Sequence, residues 1–116
     1  MTASPLDPRQ LARDADAPLA VVRFLFAAAE DDPTLVRLIR GGALDQETVK
    51  LRRAIILVSK LHAYASLPQI GRALNRDHSS IQRSLNEAIQ MLVEDASFRA
   101  LCRQIVQTCA RFRSAA

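Results

Sequence analysis

The sequence predicts an all-α protein, one bundle of about five to six helices, on three observations. Hydrophobic residues make up 49% of the chain while aromatics make up 4% and Trp is absent, so the core must be Leu, Ile, Val and Ala. With little Gly and much Arg, such a composition favours helices. Apolar residues recur at three- and four-residue spacing through the long segments. Asp, Ser, Pro and Gly stand where helices start and stop. A chain of 116 residues fits one domain.

Residues 1–17 carry Pro5, Pro8 and scattered Asp, and read as a flexible tail, or a tail that docks late. A helix is expected from about Pro18 to Glu30, with Val22, Leu25, Phe26 and Ala29 on one face. Phe24 and Phe26 point to different faces, which offers this helix as a dimer interface. "DDPTLVRLIRGG" predicts a short helix: Asp32 caps it, Pro33 opens it, Gly41 closes it, and Leu35, Leu38 and Ile39 are buried. Residues 18–42 therefore form an N-terminal helical extension.

A third helix is expected from about Asp45 to Tyr64. "AIILVSKL" is apolar nearly all round, which marks the central helix. His62, near its end, is expected to be buried and hydrogen-bonded. "SLPQIGRALN" predicts a short helix capped by Ser66, with Pro68 in its first turn. Gly71 lies inside it, where a missing side chain lets two helices approach closely. After a turn at Asn75 and Arg76, a longer helix runs from Asp77 to about Glu94. Its buried stripe is Ile81, Leu85, Ala88, Ile89 and Leu92; its open face carries His78, Gln82, Arg83, Asn86 and Gln90. The last helix, about Ser97 to Phe112, buries Phe98, Leu101, Cys102, Ile105, Val106, Cys109 and Phe112.

Net charge is +4, carried almost wholly by Arg, since Lys50 and Lys60 are the only lysines. This suits a polyanionic partner. Cys102 and Cys109 lie seven apart, about 10.5 Å along a helix, too far for a disulfide with each other. They read as small buried hydrophobes in a reducing compartment. The start has no secretory signature and no apolar run would span a bilayer. The expectation is a soluble cytoplasmic protein without a membrane partner.

"NRDHSSI", residues 75–81, gathers the side chains with most chemistry. Proton transfer needs a positioned partner, and Asp77 and His78 are adjacent, so they point about 100° apart. A metal needs three or four ligands at set spacings, and neither His nor Cys supplies them. The chain is thus expected to be no enzyme and to carry no metal or cofactor. Nucleic-acid contact suits the residue types. Asp accepts from cytosine N4, His donates to guanine, Ser reaches bases or phosphate, and a helix N-terminus favours phosphate. The bland alternative is an ordinary Asp77 cap beside solvated His78, Ser79 and Ser80.

"SLPQIGRALNRDHSSIQRSL" resembles the helix-turn-helix of the C-terminal DNA-binding domain of the DnaA family of bacterial replication initiators. That family reads approximately S-L-x-E-I-G, a short gap, then G-R-D-H-[ST]-[ST]-V. Ser66, Leu67, Ile70, Gly71, Arg76, Asp77, His78, Ser79, Ser80 and an aliphatic Ile81 match. The resemblance covers about Thr48 to Cys109, so residues 43–116 are expected to form a DnaA-type, Trp-repressor-like domain in one compact unit with the extension.

The resemblance implies base contacts in the major groove of a DnaA-box-like duplex by Asp77, His78 and Ser79. It implies backbone or minor-groove contacts by Ser80, Pro68, Arg76, Arg83, Lys50 and either Arg52 or Arg53. It further implies a bacterial, nucleoid-associated protein regulating replication initiation or transcription. The family's Gly-Gly turn is reduced to Asn75, both Thr positions are Ser, and basic residues become Asn86 and Glu87, which should weaken phosphate binding. No G-x-x-x-x-G-K-[ST] loop is present, so an ATP-driven initiator is not expected. A single module gives modest affinity, which leaves a role for a homodimer or a helper protein. The competing reading is a protein-interaction module on a DnaA-like scaffold.

Overall fold

A computed structural model of the chain describes the backbone of residues 6–115 and the side chains of residues 6–110. Within them lie seven helices: α1 (Pro8–Ala15), α2 (Leu19–Ala28), α3 (Pro33–Arg40), α4 (Gln46–His62), α5 (Leu67–Leu74), α6 (His78–Glu94) and α7 (Ala96–Ala115). None of these helices is long and apolar enough to cross a membrane.

Capping chemistry sets most of the boundaries. Asp7, Asp32, Asp45 and Asp77 each accept a backbone N–H in the first turn of α1, α3, α4 and α6. Asp95 accepts from Ser97 and Phe98 at the start of α7. Ser66 and Gln69 form a reciprocal capping box on α5. Each satisfies donors that a helix start leaves without partners.

The expected tail is corrected by α1. Asp7 and Pro8 repeat the Asp32–Pro33 start, and Ala12 is buried with Leu11 packed against the core. Residues 1–5 of that tail lie outside the described residues.

Helix α4 is central, packing on α2, α3, α5, α6 and α7. Ala54 to Ser59 are all buried, as an all-round apolar helix requires. Helix α2 is covered just as fully, by α1, α4, α5 and α7. Phe24 and Phe26 are both buried there, at 7% and 5% exposure, so they are core and not a dimer face. Phe98, Leu25, Ile39, Ile55, Ile70, Leu74, Ile81 and Ile105 fill the remaining interior.

Several facings differ from expectation. On α3, Val36 and Ile39 are buried while Leu38 is 46% exposed. On α6, Ile89 is 48% exposed, because α6 rolls Ile81 and Ala88 inward and leaves Ile89 at the rim. His62 is exposed, not buried. It lines a cleft of about 390 Å³ with Arg23, Phe24 and Val106, at the end of α4 where the helix reaches the surface. Cys102 is buried, and burial pushes its thiol up to about 11, the behaviour of an unreactive core sulfur. Phe112 lies outside the described side chains.

Candidate nucleic-acid interface

The α5–α6 pair is held by its turn. Helix α5 stops at Leu74, and Asn75 takes the left-handed conformation (φ 57, ψ 49). After Gly, Asn is the residue that best tolerates it. One residue therefore performs the reversal that two glycines would otherwise give. The Arg76 amide then donates to the Gly71 carbonyl at 2.8 Å. A Cβ on Gly71 would stand 2.4 Å from the Arg76 carbonyl oxygen, so only glycine lets the turn fold back onto α5. Asp77 follows in extended conformation and caps α6.

At the head of α6 the Asp77 carboxylate accepts from the Ser80 amide at 2.9 Å. The Ser80 hydroxyl and amide together hold the Asp77 carboxyl below the usual carboxylate range, aided by the charge of Arg83. Asp77 is thus a cap first, on a residue that is exposed as a whole. His78 and Ser79 are exposed, and among the described residues neither side chain makes a hydrogen bond. Ser80 is half-buried. Arg83 is exposed one turn further on, and Pro68 is exposed in the first turn of α5. Asp77, His78, Ser79, Ser80 and Arg83 are thus brought to one end of one helix.

The other cations expected at DNA are engaged inside the protein. Arg52 is only 6% exposed. Its Nε donates to the Ile39 carbonyl at 2.7 Å, and its Nη2 donates to Leu38 and Gly41 at 3.1 Å each. Arg76 donates to the carbonyls of Leu74 and Gly41. Arg40 donates from Nε to the Ala73 carbonyl at 2.8 Å. Three guanidiniums therefore serve the carbonyl ends of α3 and α5, where a helix dipole favours positive charge. Burial, and for Arg52 also the nearby Arg76 charge, lowers the proton affinity of Arg52 and Arg76. Gly41 is correspondingly extended (φ −91, ψ −162) instead of left-handed, so the end of α3 is closed by arginines and not by a glycine turn.

Arg53 pairs with Glu87 across α4 and α6, with its Nη1 3.5 Å from the Met91 sulfur. Lys50 donates to the Ser97 hydroxyl at 2.7 Å and lies 3.8 Å from the Asp95 carboxylate. Lys50, Arg52 and Arg53 thus each bridge neighbouring parts of the bundle, Arg52 from a buried site and Lys50 and Arg53 from partly exposed ones. Arg76 keeps its position beside α6 but is half-buried and engaged.

Sequence reasoning missed Arg40 and the Arg53–Glu87 pair. Arg40 carried a signal, since it ends α3 as a basic residue in a last turn. Glu87 carried none, because pairing across two helices is invisible without their packing. Its charge is matched by Arg53, so it does not make the open face of α6 acidic.

Among the described residues no group of three His, Cys, Asp or Glu gathers to hold a metal ion. The site is thus a short helix, a tight turn and a 17-residue helix whose head presents His78 and Ser79 to solvent. No protein-family model, curated protein or solved structure matches the chain.

Proposed function

We propose that the chain binds duplex DNA sequence-specifically, using α5 and α6 as a DnaA-type helix-turn-helix. The N-terminal half of α6 enters the major groove. Asp77, His78 and Ser79 face base edges there, while Ser80, Arg83 and the N-terminus of α5 at Pro68 approach phosphates. One observation carries the reading: His78 and Ser79 stand exposed and without hydrogen bonds at the head of a long helix braced from behind by a shorter one. A regulatory role in bacterial replication or transcription, at the nucleoid, follows by analogy with the resembling family.

The test is titration of a duplex carrying a DnaA-like box, and of a scrambled duplex, at two salt concentrations. Preference for the box, with affinity falling as salt rises, supports the proposal. Equal or absent binding overturns it. His78→Ala should cost about 1–3 kcal/mol on the specific duplex and little on the scrambled one.

The intramolecular contacts of Lys50, Arg52 and Arg53 favour a second reading, a module that docks another protein. Val93, 75% exposed, and Leu44, 82% exposed, give that reading apolar contact points. Under it neither duplex binds.

A further inference from the structure

Beyond its head, the open face of α6 carries an ordered pair of amides. Gln82 and Asn86 are exposed one and two turns past His78. The Gln82 Nε2 donates to Asn86 Oδ1 at 3.1 Å. That bond occupies one of the two Nε2 hydrogens and fixes the amide plane relative to the helix. What Gln82 has left is one N–H donor and a carbonyl acceptor, on an amide that is exposed. Adenine presents the reverse pair in the major groove, an acceptor at N7 and a donor at N6. Guanine offers two acceptors there, so it cannot satisfy the carbonyl.

Resting on the DNA-binding proposal above, we propose that Gln82 selects adenine and that Asn86 is its positioning residue. Four residues of helix rise about 6 Å. At 3.4 Å per base pair, and with a recognition helix inclined in the groove, the selected adenine lies about one to two base pairs from the base that His78 faces. Asn86 acts through Gln82 by accepting its hydrogen bond, which holds the amide in the orientation that adenine needs.

The experiment is selection of bound sequences from a random duplex pool, run with the full chain and four variants. The variants are His78→Ala, Gln82→Glu, Asn86→Leu and Asn86→Asp. All three positions are exposed, and thermal melting checks that each variant folds. His78→Ala marks the base that His78 reads, by erasing its preference. The wild type should show an adenine about one to two base pairs away, favoured about tenfold or more. Gln82→Glu should move that preference toward cytosine, whose N4 donates to a carboxylate. Asn86→Leu should weaken the adenine preference at that position alone, and Asn86→Asp, which keeps the acceptor, should restore it.

An adenine preference untouched by Gln82→Glu overturns the inference and leaves the helix-turn-helix reading standing, as does a selected site with no adenine there. A preference that Asn86→Leu and Asn86→Asp leave at wild-type strength removes the positioning role. If the wild type enriches no sequence, the DNA-binding proposal itself fails and the inference falls with it.

Discussion

Replacing Arg52 by Ala separates a structural arginine from a DNA-binding one. Arg52 donates three hydrogen bonds to the carbonyls of Leu38, Ile39 and Gly41 from a site 6% exposed. A hydrogen bond from a charged donor contributes about 1.5–3 kcal/mol. The carbonyls of Leu38 and Gly41 are only part-buried and can take water once the guanidinium is gone, whereas that of Ile39 lies deeper. The expected loss is therefore about 3–4 kcal/mol, below the total for three bonds. For a chain of this length the unfolding entropy, about 2.1 cal/mol/K per residue, converts this to a fall in Tm of about 12–16 °C. Urea and thermal unfolding followed by far-UV circular dichroism would measure it. Arg52→Lys, which keeps the charge but loses the planar fork, should recover part of the loss. A Tm within about 2 °C of wild type for Arg52→Ala, with reduced affinity for duplex DNA, would refute the reasoning and return Arg52 to the interface.

Gly71→Ala should destabilise the fold by about 1–3 kcal/mol in urea unfolding, because the added methyl meets the Arg76 carbonyl while helix propensity recovers only about 1 kcal/mol. Asn75→Ala should cost about 1 kcal/mol in the same assay, and Asn75→Gly should be close to neutral, since the position is left-handed. The capping carboxyls Asp45, Asp77 and Asp95 are all held below the ordinary carboxylate range, chiefly by hydrogen bonds from Thr48, Ser80 and Ser97 respectively. Folded values below the unfolded one mean that their stabilisation is complete above about pH 4 and is lost as pH falls through the folded values. Tm should be flat from neutral pH to about 5 and drop below about 4, and Asn at all three positions, which caps without titrating, should flatten that acid limb.

The helices were legible where local chemistry decides them. Asp32–Pro33, Asp45 and Ser66 announce starts through hydrogen bonds that span only a few residues, and the chain order preserves those. The apolar stretch Ala54–Val58 announced the centre of the bundle for the same reason. Helix α1 was missed because its buried stripe is two residues, Leu11 and Ala12, too short to establish a period. The roles of the arginines were not legible. The sequence places Arg52 and Arg53 side by side as equal candidates, but successive helical residues point about 100° apart. One turns toward the end of α3 and the other toward Glu87 on α6. What each guanidinium meets depends on helices 11 to 38 residues away in sequence. His62 failed in the opposite way: a residue at a helix end can face either core or solvent, and only the packing of α2 and α7 decides.

The Gly41 carbonyl accepts from Arg52 of α4 and from Arg76 of the turn before α6. Arg40, in return, donates to the last carbonyls of α5, and Arg72 of α5 donates to the Asp16 carbonyl at 2.7 Å. The seam near residue 42 is therefore not a place where the chain can be divided. A fragment beginning there would leave Arg52 without its three carbonyl partners and Arg76 without that of Gly41, and would strip the cover from α4. Opening the N-terminal helices and loosening the α5–α6 turn belong to one cooperative event. Amide protons at the α5–α6 junction should then exchange no faster than those of the core of α2, although the turn itself lies at the surface.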